Sequence, residues 1–260
     1  MLVVWRLVSQ PPHNQHISQF WIQYYIVTTI FLIRHAENLA NLTKEFSNRR
    51  VDYSLTPKGI LQAQQTGAYL SGRGVTHLFS SPLKRARETA EIIGARIGLP
   101  VMVSELLREV DVGDLEGQPP TQELWEQHSA VVRAWRAGQP ELRFPGGENY
   151  LELVARAQAG LAEILAACAG SQPARIAMVI HGGWLSQTRF ALFPGLDPQA
   201  VAGKDLANCS ITELELDAVD GQRQARLVMY ASYAHLSGQA ADLVPGSPRT
   251  GELKSKGESA

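Results

Sequence analysis

The sequence predicts an α/β domain in which a mostly parallel sheet lies between two layers of helices. Three observations carry this. Strand-like and helix-like segments alternate along most of the chain, as they do where helical crossovers connect parallel strands. The segments at 28–33 and 176–180 are short unbroken apolar runs, the pattern of strands covered on both faces. Two segments open on a hydroxyl residue followed by proline, Thr56-Pro57 and Ser81-Pro82, the pairing of an N-cap with a proline at the first helical position.

Taken in order, the first strand is 28–33, rich in β-branched and apolar residues. Thr56 then caps a helix that reaches about Leu70, where Gly72 and Gly74 end it. Residues 76–79 are a short strand. Ser81-Pro82 opens a helix that runs to Ile97, and Leu83, Ala86, Ala90 and Ile93 give it one apolar face. A third strand is expected at 101–103. Residues 105–120 have no period and are punctuated by Gly113, Gly117 and Pro119-Pro120. Helices follow at 122–137 and 148–169, then a buried strand at 176–180 and a helix at 183–192. At 210–216, Ile211, Glu213 and Glu215 alternate with Thr212, Leu214 and Leu216, a strand with two distinct faces. With a last strand at 225–233 it reads as a hairpin at the edge of the sheet. An exposed edge near 210–216 would let two copies pair as a homodimer.

The composition narrows the function classes. The 260 residues are 45% hydrophobic and carry 24 Lys+Arg against 25 Asp+Glu. A chain of this kind folds, and its charge balance gives no reason to expect nucleic acid or an acidic membrane as partner. No uncharged apolar run approaches the roughly 20 residues a membrane span needs. Cys168 and Cys209 have no metal-ligand spacing and read as reduced thiols in a cytoplasmic protein. Residues 1–26 carry no recognisable chemistry and read as an extension ahead of a native start at Val27. Residues 27–236 form the domain. Residues 237–260, rich in Gly, Ser, Pro and Lys, read as a flexible, solvated tail.

Ligands of open α/β sheets bind beyond the carboxyl ends of the strands, and the chemistry-bearing residues gather there. Arg34-His35-Ala36-Glu37-Asn38 and Asn41 follow the first strand, Ser80-Ser81-Pro82 and Arg85 the second, Arg108-Glu109 the third, and His181-Gly182-Gly183 the fourth apolar strand. The set suits a phosphate. Arginine offers a planar charged fork that matches phosphate oxygens. Helix N-termini at these strand ends would add backbone donors. A neutral imidazole can act as a nucleophile, and a nearby carboxylic acid can protonate the leaving oxygen and then activate water. The cations are side chains, so no metal ion or other cofactor is expected.

These residues resemble the motifs of the histidine phosphatase superfamily, which includes the cofactor-dependent phosphoglycerate mutases. Arg34-His35 and Glu37 match its opening signature, with Ala36 and Asn38 in place of the usual Gly and Thr. Asn41, Asp52, Leu55-Thr56 and Gly59 follow its pattern, as do Ser80-Ser81-Pro82, Arg85-Ala86 and Thr89-Ala90. Leu107, Glu109, Gly113 and Glu116-Gly117 resemble its acid loop. Pro145-Gly146-Gly147-Glu148 resembles its Gly-Gly-Glu turn, with Asn149 for the usual Ser. His181-Gly182-Gly183, Asn208-Cys209-Ser210 and His235-Leu236 complete a likeness that spans about residues 28–236. It implies a phosphoglycerate mutase-like three-layer α/β/α fold and a role for each residue. His35 would be the phosphorylated nucleophile. Arg34, Arg85 and His181 would bind the phosphoryl oxygens, with Asn41 a secondary contact. Glu109 would be the general acid and base. Ala36 should leave the backbone turn intact if its φ is negative.

Each residue also has a plainer reading. His35 or His181 alone could be a satisfied core histidine; beside two arginines that need anionic partners, that reading weakens. Glu105, Asp111 and Glu116 lie near Glu109, which is distinguished by the resemblance alone. Trp184, three residues after His181, could line the pocket with Leu39, Leu42, Phe46 and Trp125. Three functions follow. The first is a metal-independent phosphatase acting on a small phosphorylated metabolite. The second is a phosphoglycerate mutase, which the short stretch from Gly117 to Gly146 disfavours, because family mutases carry a long insertion there. The third is a non-catalytic phosphate-binding or protein-interaction module, which the intact set of nucleophile, arginines and acid disfavours.

Overall fold

Six strands make one sheet: β1 (Thr28–Arg34), β2 (His77–Ser80), β3 (Val101–Val103), β4 (Arg175–Ile180), β5 (Ile211–Val219) and β6 (Gln222–Ser232). In the computed structural model, which describes residues 27–170, 173–219, 222–248 and 253, they run in the order β3-β2-β4-β1-β5-β6. The extension expected at 1–26 lies outside the described residues. The first four strands pair in parallel. β5 is antiparallel to both β1 and β6. The helices are α1 (Leu39–Thr43), α2 (Pro57–Ser71), α3 (Lys84–Ile97), α4 (Gln122–Arg136), α5 (Tyr150–Ala167), α6 (Gly182–Leu192) and α7 (Pro198–Val201). None among the described residues is long and apolar enough to cross a membrane.

The three layers follow from the two-residue period of the strands. Ile30 and Leu32 of β1 face one core with Ile176, Met178 and Ile180 of β4. Leu124 and Val132 of α4, Leu153 and Ala157 of α5, and Trp184 and Leu185 of α6 close that core. Phe31, Ile33, Ala177 and Val179 face the other way, onto Leu70 of α2 and Ala86, Ala90 and Ile93 of α3. Each fully buried large aliphatic or aromatic side chain contributes roughly 1.5–3 kcal/mol, so the central strands are held from both sides.

Thr56 caps α2 as expected, accepting from the Gly59 N–H with Pro57 at the start. The predicted start of α3 at Ser81-Pro82 is not observed. The helix begins at Lys84 behind Leu83, which makes no side-chain cap; the Ser81 hydroxyl accepts from the His181 ring at 2.7 Å and from the Leu83 N–H at 3.4 Å, ahead of the first turn. The short α1 has too few residues to show a period; Asn38 and Asn41 hold it in a reciprocal capping box.

Two expectations at the far end differ. β5 is not an edge strand: it sits between β1 and β6, and the edge falls to β6. The 210–216 pattern of two faces is shared by an inner strand of an antiparallel hairpin, so alternation alone did not distinguish the two. The stretch expected to be solvated from Ser237 onward begins packed. Gly238–Ala241 forms a 3-10 turn with Ala240 buried, Gln62 Nε2 donates to Ala240 O at 3.1 Å, and Lys44 Nζ donates to Pro245 O at 2.8 Å. These partners are 178 and 201 residues away in sequence, beyond the reach of composition.

Gly59 fixes where α2 meets the turn after β1. A Cβ there would stand 2.1 Å from the Glu37 carbonyl oxygen, and backbone cannot yield as a side chain can. Gly59→Ala is expected to lower the unfolding free energy by about 1–3 kcal/mol in urea titration. An unchanged midpoint would mean that this contact is not close.

Candidate active site

Three neighbouring strands, β1, β4 and β2, deliver their C-terminal ends to one place. Arg34 is the last residue of β1, opposite Ile180 at the end of β4. The His35 N–H donates to Ile180 O at 2.9 Å, and His181 follows directly. Ser81, after β2, donates its N–H to Val179 O at 3.0 Å. Arg85 is in the first turn of α3. The expected nucleophile, His35, is buried at 3% exposure, and so are the three expected phosphate ligands other than Asn41: Arg34 at 7%, Arg85 at 4% and His181 at 0%.

Arg85 is the hub of the cluster. Its Nε donates to His35 Nε2 at 3.1 Å, its Nη2 to His181 Nδ1 at 3.2 Å and to Ser47 O at 2.9 Å, and its Nη1 to Ser47 Oγ at 2.9 Å. These contacts set both histidine tautomers. His35 donates from Nδ1 to Ala36 O at 2.8 Å, leaving the Nε2 lone pair facing the guanidinium. His181 accepts at Nδ1 and donates from Nε2 to Ser81 Oγ at 2.7 Å. The rings lie 5.2 Å apart between centroids. Burial, then the charges of Arg85 and Arg34, hold His35 well below the usual histidine range. Burial and Arg85 do the same to His181. Both imidazoles are therefore neutral at neutral pH. Burial also pulls Arg85 down to about 10, opposed by Glu109 and Asp52, so it stays charged.

Arg34 donates from Nη1 to Leu206 O. Its buried Nε has no hydrogen-bond partner among the described residues. A buried charge-bearing donor left open is costly unless something fills it, and an anionic oxygen would.

Glu109 reaches across to α6. Its Oε2 accepts from the Gly183 N–H at 3.0 Å and its Oε1 from the Trp184 N–H at 2.6 Å and the Val110 N–H at 2.9 Å. Its charge acts on both Arg34 and Arg85, which places it at the same cluster. The alternatives are committed elsewhere: Glu105 pairs with Arg108 at 2.6 Å, Asp111 with Arg49 at 3.0 Å, and Glu116 accepts from backbone N–H groups of 48–51. The phosphate donors expected at helix N-termini are partly taken. Glu109 caps α6, and both oxygens of Asp52 accept from the Lys84 N–H that begins α3, at 2.9 and 3.0 Å.

Asn41 spends its side-chain oxygen on the Asn38 N–H at 3.1 Å and on Asn208 Nδ2 at 3.0 Å. What it can offer a phosphate is its Nδ2. Ala36 is not among the residues with positive φ, so the alanine fits; its N–H donates to Thr89 Oγ1 at 3.0 Å. Trp184 is not a pocket wall: it is fully buried in the main core, pointing away from the turn that its N–H helps to form. Leu39 and Leu42 are 43% and 45% exposed, and the Phe46 and Trp125 rings lie tilted against each other, 4.6 Å between centroids. Residues not anticipated as part of the site are Ser47, which holds both ends of the Arg85 fork, and Asn208, whose Nδ2 donates to His35 O at 2.9 Å. Asn208 lies in a recognised motif; Ser47 has no local signal, because its role depends on the loop's path.

The family model of the histidine phosphatase superfamily, branch 1, matches residues 30–228. A protein of Salmonella paratyphi B named "Probable phosphoglycerate mutase GpmB" is 35% identical over 186 residues, which is 72% of this chain and 84% of that one. Among solved structures, a mycobacterial glucosyl-3-phosphoglycerate phosphatase in complex with VO3 superposes with a TM-score of 0.66 at 25% identity, over 79% of this chain and 99% of the other. YhfR of Bacillus stearothermophilus superposes with a TM-score of 0.65 at 26% identity, over 80% and 98%. The chain belongs to the histidine phosphatase superfamily.

Proposed function

We propose that this protein hydrolyses a small phosphomonoester through a phosphohistidine at His35, without a metal ion. The observation that carries the reading is the His35 ring itself. Its Nδ1–H is fixed on Ala36 O, and its Nε2 lone pair faces the cluster of Arg34, Arg85 and His181. Arg85 Nε donates to that lone pair at 3.1 Å; an incoming phosphoryl oxygen takes over this N–H and frees Nε2 to attack, and the flanking donors meet the group being transferred.

In the first step Nε2 bonds to phosphorus as the ester oxygen leaves. Arg34 Nε and Arg85 meet the phosphoryl oxygens, with Asn41 Nδ2 as a further donor, and the His181 ring joins them by moving its Nε2–H off Ser81 Oγ. Glu109 gives the departing oxygen its proton. Its Oε2 uses one lone pair on the Gly183 N–H and keeps the other for that proton. In the second step Glu109 takes a proton from water, the hydroxide attacks phosphorus, and the His35–phosphorus bond breaks to release phosphate.

A second reading is a phosphoglycerate mutase, favoured by the name of the 35% identical relative. A mutase must shield its phosphohistidine from water while the intermediate turns over. Here only one helix, α4, and a short loop separate Gly117 from Gly146, which favours hydrolysis.

An aryl phosphate assayed in excess EDTA is expected to be hydrolysed by the wild type. His35→Ala should lose roughly 10³-fold or more and Arg85→Ala about 10²–10³-fold. Loss of the wild-type activity in EDTA would overturn the metal-free reading. Given 3-phosphoglycerate with a bisphosphoglycerate primer, the protein should release phosphate and form little 2-phosphoglycerate; efficient interconversion would make it a mutase.

The pH profile tests the state of His35. Its proton affinity is depressed, so it stays unprotonated as the pH falls through about 6.5, where an ordinary histidine gains its proton. Corrected for ionisation of the substrate, kcat/KM should stay flat through that range and fall only at more acid pH. A drop centred near 6.5 would mean that His35 is neither buried nor beside the arginines.

A further inference from the structure

One carboxylate oxygen in this protein accepts from four consecutive backbone N–H groups. Glu116 Oε1 takes the N–H of Asn48, of Arg49 at 2.7 Å, of Arg50 at 2.9 Å and of Val51 at 3.1 Å. Successive N–H groups curled around one point form an anion-binding concavity, and here the anion is supplied by the protein. Glu116 is buried at 4% exposure. Residues 48–51 belong to no helix or strand, so these amides have no ladder to satisfy them. Without the carboxylate the turn has little reason to keep its shape.

The turn carries Ser47, which grips the Arg85 fork at both ends, by Oγ to Nη1 and by its carbonyl to Nη2. The Ser47 hydroxyl in turn donates to Val51 O, so it is oriented from within the same turn. Glu116 also stands seven residues beyond Glu109 on the acid loop. Two further contacts join the same segments: Arg108 Nη1 to Asn48 O at 3.2 Å and Arg49 Nε to Asp111 Oδ2 at 3.0 Å.

We propose that Glu116 is a positioning residue: it holds the 48–51 turn so that Ser47 sets the plane and reach of the Arg85 guanidinium, and it thereby locks the phosphate pocket to the loop that carries Glu109. This rests on the phosphate-site reading of Arg85. A guanidinium recognises phosphate through directed N–H groups, so a small rotation of its plane matters more than its charge alone.

The test measures binding of inorganic phosphate by titration calorimetry, which requires no turnover. Glu116→Ala and Glu116→Gln are compared in the wild-type and in the Arg85→Ala background, with thermal melts to establish that each is folded. Glu116→Ala should weaken phosphate about tenfold in the wild type and less than about twofold when Arg85 is already gone, the non-additivity of residues that act through one another. Glu116→Gln keeps an oxygen at the same point and should restore most of the affinity, also serving if the alanine variant does not fold. Equal losses in both backgrounds, or no loss in either, would overturn the proposal while leaving the phosphate site standing. A wild type that binds no phosphate would overturn both.

Discussion

The structure turns on the burial of Arg85 between two imidazoles. A guanidinium removed from water is costly unless its N–H groups are met. Here they are met by His35 Nε2, His181 Nδ1 and both oxygens of Ser47. Every one of these is a neutral acceptor. The charge itself is answered at a distance, by Asp52 at 3.9 Å and through the fields of Glu109 and Glu116. The Arg85 fork is thus satisfied in hydrogen bonds by neutral groups, while Arg34 Nε stays open among the described residues. Burial and the two guanidinium charges together hold both histidines below their usual range.

The sheet topology is what makes this arrangement affordable. His35 and His181 follow adjacent parallel strands, and the hydrogen bond from the His35 N–H to Ile180 O extends the ladder one step past the end of β4. Asn208 Nδ2 ties the His35 carbonyl from the other side, and the Cys209 N–H donates to Arg34 O at 3.0 Å. His35 therefore sits on backbone fixed from both directions. The core beneath it holds Ile33, Val179 and Ile180 at 0% exposure, so neither strand end can shift without disturbing close-packed side chains.

Much of this was legible in the sequence because it depends on local patterns. Apolar runs mark strands buried on both faces, and Thr56-Pro57 marks the start of α2. The residues that follow strand ends are known to be where ligands gather, which located Arg34, His35, Arg85 and His181. What local pattern could not show were contacts made by backbone or across long separations. Ser47 matters through its carbonyl and one hydroxyl, Glu116 through four amides 65 to 68 residues away, and the segment after Ser237 through a partner in α2. Trp184 shows the opposite limit. Its position three residues after His181 suggested the pocket, but the helical turn carries its side chain into the core.

The helix N-termini show how the site divides its labour. Either α3 or α6 could have offered backbone amides and a positive dipole end to a phosphate. Some of these amides are instead taken by the protein's own carboxylates, the Lys84 N–H of α3 by Asp52 and the Gly183 and Trp184 N–H of α6 by Glu109. Both groups, with Glu116, are those whose charges favour the protonated form of Arg85. Capping therefore does two things at once: it keeps each carboxylate oriented, and it keeps negative charge near buried cations that would otherwise repel each other. In the proposed reading phosphate recognition therefore falls chiefly on the side chains of Arg34 and Arg85, and the Arg85 fork is set in part by a loop residue, Ser47. A pocket built on helix ends is rigid by construction. This one is rigid only to the extent that loops such as 47–51 hold their shape, which is why a buried carboxylate with no access to the reacting atoms can still govern how the site binds.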